Sequence, residues 1–272
     1  KSITIVNDYF SKDVVIKITN GKKAKIISAT AVFYDFGDPN IGTKDIKEIL
    51  HKEGVCVLQV SYLLDTIRDM NFYDMVHEHL EYYSLKSINY LMERNGLTVI
   101  DASTNFVNGG SLRVLVTHKE NSKPKSKRYE EILSEEEKWN LGEIDTYDSY
   151  KQKIIEIIEK TKKFIMNELE NGQLVIGLGA STKGNVLLQI CGIDKNLLPF
   201  ISERNRDKVG LRTLGTDIEI ISEEKAREIN PSAMLVIPWN FKEEILSREK
   251  NYIQNGGKML FLMPHPYYVD KF

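Results

Sequence analysis

Cysteine is scarce in this chain: Cys56 and Cys191 are the only two in 272 residues, one in each half and each inside an apolar run. That excludes a disulfide framework and a cysteine-built zinc site, and reads as a pair of buried thiols in a reducing cytoplasm. An excess of one charge is missing too. Lys and Arg total 37 against 39 Asp and Glu, for a formal charge of -2, which removes the electrostatic case for nucleic acid or an anionic membrane as partner. No stretch approaches the roughly 20 apolar residues of a membrane span, and the first residues lack the charged-then-apolar pattern of a signal peptide. The sequence starts at Lys1 rather than methionine, so either a segment was removed or the chain is part of a longer one. What is present, 42% hydrophobic and 28% charged residues, suits a soluble globular protein with two α/β domains and a small-molecule partner.

Apolar runs place strands at Lys25 to Ala29, continuing to Phe33, and at Val55 to Val60, both read as buried on two faces. Between them a helix is expected from Thr43 to His51, giving a strand, helix, parallel strand unit. Ser84 is a plausible cap for a helix ending at Gly96, with Leu85, Ile88, Leu91 and Met92 on one face. Strands at Leu97 to Ser103 and Ser111 to His118, joined through Asn108-Gly109-Gly110, form an antiparallel pair at a sheet edge. Residues 119–150 are rich in Lys, Glu, Ser and Asp and read as a solvated linker, followed by a long amphipathic helix from Tyr147 to Glu170. A second α/β layer structure starts with a strand at Gln173 to Leu178, a glycine turn and a helix through Asn185 to Ile190. Strands at Leu198 to Ser202, Ala233 to Ile237 and Lys258 to Leu262 follow, with a helix near Lys242 to Tyr252.

Three constellations carry chemistry. His77-Glu78-His79 sets two imidazoles around a carboxylate, with Tyr73, Tyr82 and Tyr83 nearby, which suits proton abstraction from a carbon acid. A metal reading is poorer, because alternate side chains of a strand diverge and no cysteine or third histidine is close. Gly177 to Asn185, including Ser181, Thr182 and Lys183, lies between a strand and a helix, where free amides and the helix dipole favour an anion. Its spacing is neither that of a dinucleotide turn nor that of a Walker loop. Glu203 follows about two dozen residues later at a strand end, where nucleotide folds place a ribose-binding acid.

With His77-Glu78-His79, Gly109 to Arg113, Gly179 to Asn185 and Pro238-Trp239 in this order, the chain resembles the S-adenosylmethionine-dependent C-methyltransferases of nucleotide sugars that build branched deoxysugars. The resemblance runs over nearly the whole chain. Such proteins have a zinc module, a Rossmann-type methyltransferase domain and a Rossmann-like C-terminal domain. This chain looks like the last two, with the first methyltransferase strand and its glycine loop missing. The implied division is a partial methyltransferase domain over 1–119, a charged linker and long helix over 120–170, and a nucleotide-sugar-binding domain over 171–272.

The resemblance implies that His79 removes the proton beside a sugar ketone, with Glu78 and His77 orienting groups or stabilising the enolate. It places S-adenosylmethionine near Asp8, Phe10, Ala29, Thr30 and Phe33. It assigns the nucleoside-diphosphate keto-sugar to a cleft between the domains, touching Tyr83, Asn108, Gly110, Ser111, Arg113, Ser181, Thr182, Lys183, Asn185, Arg204 and Trp239. Val76 stands where the family usually has tyrosine, so a hydroxyl role there passes to Tyr73, Tyr82 or Tyr83 or is lost. The other readings are a sugar-nucleotide-binding module without catalysis and a nicotinamide-dependent sugar oxidoreductase. The non-standard glycine spacing disfavours the oxidoreductase.

Overall fold

The chain separates into two units in a computed structural model that describes residues 3–271. The first consists of the residues up to Asp65 together with His77–Glu143. The second takes Thr66–Val76 and everything from Ile144 onward. This boundary differs from the expected division at two places: the segment 66–76 goes with the second unit, and residues 120–143 go with the first.

The first unit runs α1 (Lys12–Thr19), β1 (Ala24–Thr30), α2 (Pro39–Ile49), β2 (Leu50–Ser61), the start of α3 (Leu63–Arg68), α4 (Leu85–Arg94), β3 (Leu97–Asn105), β4 (Ser111–His118) and α5 (Lys127–Lys138). Its sheet order is β1-β2-β4-β3, with β1 parallel to β2 and the other two pairs antiparallel. The strand–helix–parallel strand unit and the antiparallel pair are therefore both present. β1 is not buried on two faces as expected. It forms an edge, and its Ile26 is 76% exposed. α2 starts at Pro39 rather than Thr43, because the Asp38 carboxylate accepts the Asn40 N–H at 2.8 Å and proline suits the first helical position.

The stretch expected to be a solvated linker is instead clasped to the sheet. Lys125 bonds Thr98 Oγ1 at 3.0 Å, and Ser126 and Arg128 both reach Asp101 on β3. α5 then buries Tyr129 and Glu136. The Glu136 carboxylate, 3% exposed, accepts the N–H groups of Leu85 at 2.5 Å and Lys86 at 3.0 Å, the open donors at the start of α4. Charge density alone marked this run as polar; only its partners 25 to 51 residues away explain why it is ordered.

The second unit contains α6 (Ile144–Glu170), β5 (Val175–Leu178), α7 (Thr182–Cys191), β6 (Phe200–Glu203), β7 (Glu219–Ser222), α8 (Glu223–Ile229), β8 (Ala233–Val236), α9 (Lys242–Arg248), α10 (Lys250–Gln254), β9 (Lys258–Phe261) and β10 (Tyr267–Val269). The expected single helix near 242–252 is two, meeting at Glu249. The sheet order β10-β9-β8-β5-β6-β7 has five parallel strands and an antiparallel last one. With β5 central and later strands added on either side, this is a doubly wound sheet whose order reverses between β5 and β8. Ile157, Thr161 and Ile165 form the buried stripe of α6, at helical spacing. Cys56 and Cys191 are both 1% exposed, and burial pushes each thiol up to about 12, so neither is a nucleophile at neutral pH.

Glu249, 1% exposed, sits between Arg227 at 2.9 Å and Arg248 at 3.0 Å. Burial alone would raise its carboxyl, but the two guanidinium partners outweigh it and hold the group below the ordinary glutamate range. A depressed folded value contributes stability above the unfolded pKa of about 4.3 that disappears as pH falls through the folded one. Urea midpoints between about pH 3 and 6 should therefore fall less steeply for Glu249→Gln than for the natural chain; parallel slopes would refute the assignment. Glu136→Ala should cost about 2 kcal/mol in the same assay, since it strips two buried amides of their acceptor.

Candidate functional site

In the first unit the chain leaves β1 through Ala31, whose φ is +54°, and enters a single 3₁₀ turn at Phe33–Asp35. This turn organises the site. The Tyr34 carbonyl accepts the N–H groups of Leu80 at 2.9 Å and Glu81 at 3.3 Å, which fixes the stretch after His79. The Tyr34 ring lies 4.2 Å from the His79 ring, centroid to centroid, and Phe33 lies 5.7 Å from Tyr83. Burial raises the Asp35 carboxyl; His79 opposes that shift, and Glu78 adds to it. The three groups therefore sense one another's charge.

The three residues of the motif differ in setting. His77 is 88% exposed at its side chain and meets Glu78 at 3.1 Å, whereas His79 is half-buried against Tyr34. Tyr83 is 5% exposed, and its hydroxyl has no hydrogen-bond partner among the described residues. Burial, with Glu81 nearby, pushes that phenol above its ordinary value, so it stays protonated and able to donate.

The carboxyl ends of the strands bring several expected residues to one edge. Tyr62, just past β2, bridges to Tyr83 and donates its N–H to the Gly110 carbonyl at 3.2 Å. Gly110 has φ +126°, and a Cβ there would lie 2.5 Å from Asp65, so this turn admits only glycine. Asn108 is exposed at φ +56°. Ser111 is 3% exposed and donates to the Val107 carbonyl at 2.8 Å, which makes it a brace of the turn. Arg113 is exposed, with Nε 3.3 Å from Ser103.

Of the residues expected to face S-adenosylmethionine, Ala29 and Thr30 end β1, Asp8 is exposed and accepts the Tyr9 N–H, and Phe10 stacks on Phe36 at 5.8 Å. Phe33 is a correction: at 0% exposure its side chain belongs to the core and cannot touch a ligand. The carboxyl end of β1 thus fits one wall of such a cofactor. The link from β1 to the 3₁₀ turn, Ala31-Val32, holds no glycine.

In the second unit, β5 ends in a turn at Gly179, φ +86°, where a Cβ would meet Pro238 at 2.7 Å. Ser181 caps α7 by accepting the Gly184 N–H at 3.0 Å, and Gly184 lets α7 approach Ile237 where a Cβ would fall at 2.4 Å. Thr182 is exposed and Asn185 half-buried in the first turns of α7. Lys183 is a second correction. Its ammonium pairs with Asp74, 4% exposed, so it does not stand free for a phosphate. Trp239 meets the Tyr73 ring edge-on at 6.4 Å and joins the core, while the Tyr73 hydroxyl donates to Asn240 Oδ1 at 2.5 Å. Arg204 is exposed, 3.5 Å from Glu244.

Sequence reasoning missed Tyr34 and Asp35, although they follow a strand signal directly, the place where sites form in such sheets. It also missed the role of Asp74, which no local pattern announces. Among the described residues no cluster of three His, Cys, Asp or Glu side chains is placed to hold a metal ion, and no helix is long and apolar enough to cross a membrane.

A doubly wound sheet with a glycine turn at the carboxyl end of its central strand defines an α/β protein of Rossmann type. The C-methyltransferase C-terminal domain family matches residues 106–264, more than half of the sequence, and the chain belongs to that family. It is 29% identical over 243 residues to the C-methyltransferase NovU of Streptomyces niveus, covering 89% of this chain and 58% of that protein. It thus spans well under two thirds of the length of that relative. Among solved structures, a complex of the Haloferax volcanii Trm112 methyltransferase activator with a methyltransferase matches 36% of this chain and 55% of its own, at 13% identity and a TM-score of 0.30.

If Lys183 is a structural partner of Asp74, Lys183→Ala should lower stability by roughly 3 kcal/mol, because it strands a buried carboxylate. Adding Asp74→Asn should recover much of that loss in denaturant titrations. A stable Lys183→Ala protein would return the lysine to ligand duty.

Proposed function

We propose that this chain contributes the carbon-acid chemistry and the nucleotide-holding unit of an S-adenosylmethionine-dependent C-methyltransferase acting on a nucleoside-diphosphate keto-sugar. Family membership and the likeness to NovU support C-methyl transfer. The observation that carries the residue assignment is the setting of His79, half-buried against Tyr34, with Asp35 and Glu78 sensed nearby, while His77 lies in solvent.

A ketone acidifies the C–H next to it. In this reading His79 accepts that proton as general base, and the electron pair moves onto the carbonyl oxygen as an enolate. Imidazole suits the task, since its ordinary pKa of about 6.5 leaves it unprotonated at neutral pH. The developing oxyanion needs a donor placed in advance, and the buried, protonated Tyr83 hydroxyl is such a donor. Glu78 and Asp35 would stabilise the imidazolium formed by the transfer. The cofactor supplies an electrophilic methyl group for the enolate carbon; proton removal is the work of this chain's own side chains. In the second unit the Ser181 N–H at the start of α7 would take an anionic group of the sugar nucleotide, the Gly179 and Ala180 N–H groups being held by the Ser202 carbonyl and Glu203.

Proton exchange tests this without any methyl donor. In deuterated buffer, the C–H beside the ketone of uridine-, guanosine-, cytidine- or thymidine-diphosphate keto-hexoses should exchange in the presence of the chain, as followed by proton NMR. His79→Ala should slow that exchange by about 100-fold or more and Tyr83→Phe by a smaller factor, with His77→Ala near the natural rate. Exchange that persists in His79→Ala would remove the base assignment. Binding of the sugar nucleotide without exchange would favour a binding module.

A further inference from the structure

Glu136 of α5 is a buried carboxylate that the reaction described above does not use. It accepts the N–H groups of Leu85 and Lys86, across 51 and 50 residues of chain, and so sits against the first turn of α4, where the helix dipole favours a negative charge. That helix start already has a cap of its own. The Ser84 hydroxyl accepts the Ser87 N–H at 3.1 Å, and the Ser87 hydroxyl accepts the Ser84 N–H at 3.0 Å. Lys86 and Ser87 are exposed, so water could have served the Lys86 donor. The chain instead encloses a carboxylate there, and burial raises its carboxyl above the ordinary glutamate value against the opposing pull of the two N–H groups and of the Tyr62 and Ser84 hydroxyls. A buried charge is a costly way to cap a helix that is capped already, and what it adds is a fixed position.

Tyr83 is what lies between the groups that Glu136 joins. It directly precedes Ser84, and on its other side it bridges to Tyr62, while its carbonyl accepts the Leu63 N–H at 2.9 Å. Glu136 therefore reaches both flanks: the backbone of Leu85 and Lys86 after Tyr83, and the hydroxyl of Tyr62 beside it. The ring of Tyr83 is set by Phe33, 5.7 Å away, and its own hydroxyl is left without a hydrogen-bond partner among the described residues. A donor for a developing oxyanion acts only if it is placed in advance, and a displacement of about 1 Å costs much of its effect.

We infer that Glu136 is a positioning residue of the reaction: by tying the start of α4 to Tyr62 it fixes Tyr83 between them and so sets the hydroxyl that donates to the enolate oxygen. The inference rests on the reading in which Tyr83 is that donor, and it deepens that reading by naming what holds the donor in place. Glu136 acts through Tyr83 and needs no contact with the substrate.

The test is a double-mutant cycle on the exchange of the C–H beside the ketone, with the uridine-, guanosine-, cytidine- and thymidine-diphosphate keto-hexoses as probes. Glu136→Gln should lower kcat for exchange by about fivefold to tenfold, no more than Tyr83→Phe does, with KM within about twofold of the natural value. In the Tyr83→Phe background the same substitution should change the rate by less than about twofold. A natural rate in Glu136→Gln, or the same loss in both backgrounds, would overturn the inference, since a purely structural role weakens the protein whether or not the Tyr83 hydroxyl is there. Should Glu136→Gln fail to fold, Tyr62→Phe, which keeps every backbone partner, should slow exchange by a smaller factor and again only when Tyr83 is present; a natural rate in Tyr62→Phe overturns the inference. A second arm needs no substrate. In a chain carrying carbon-13 in its tyrosine rings, the NMR signal that vanishes in Tyr83→Phe should move in Glu136→Gln, while that of Tyr150, in the second unit, stays. An unmoved Tyr83 signal overturns the inference. A moved signal in a chain without any exchange removes the reaction and keeps the positioning, and exchange untouched by Glu136→Gln removes the positioning and keeps the reaction.

Discussion

The Asp74–Lys183 ion pair is the interaction on which the arrangement of the second unit's carboxyl edge depends. Asp74 is almost fully enclosed, and a buried carboxylate is tolerable only with a charged partner and further hydrogen bonds. Lys183 provides the charge from the first turn of α7, and 109 residues of chain separate the two. Around them the Tyr73 hydroxyl bonds Asn240, its ring receives the edge of Trp239, and the Lys183 ammonium lies 5.9 Å from the centre of the same ring. These contacts make residues 66–76 part of the second unit, and His77 follows directly in the sequence.

Committing Lys183 to this pair takes its charge away from the glycine turn, whose Gly179 and Ala180 N–H groups are in turn held by the Ser202 carbonyl and Glu203. The turn itself is tightly constrained. Gly179 and Gly184 stand where added carbons would strike Pro238 and Ile237, so β5, α7 and the end of β8 approach more closely than any other residue allows. The geometry of this turn thus comes from close backbone approach rather than from long side chains.

The first unit uses a similar economy in the 3₁₀ turn at Phe33–Asp35. Three consecutive residues have three tasks: Phe33 fills the core and touches Tyr83, Tyr34 meets His79, and Asp35 places a carboxylate near the imidazole. As a result His79 is sheltered and His77 is not, although the two are separated by a single residue.

Much of the layout was legible in the residues alone. Short apolar runs and glycine breaks identified the β1–α2–β2 unit, the antiparallel β3–β4 pair and the glycine turn between β5 and α7, because strand and helix type follow from the pattern of apolar residues within one segment. Ser84 was legible as a cap for the same local reason, whereas Ser181, read as a donor to an anion, has its hydroxyl accepting the Gly184 N–H as the cap of α7. The tertiary structure alone decided who pairs with whom. Charge counts made residues 119–150 look solvated, yet Arg128 and Ser126 meet Asp101, and Glu136 closes the start of α4. Phe33 looked like a ligand contact and is core, and Lys183 looked like a phosphate ligand and holds Asp74. Periodicity is a property of neighbours in sequence, whereas burial and charge pairing depend on residues tens to hundreds of positions apart, so only the folded chain determines them.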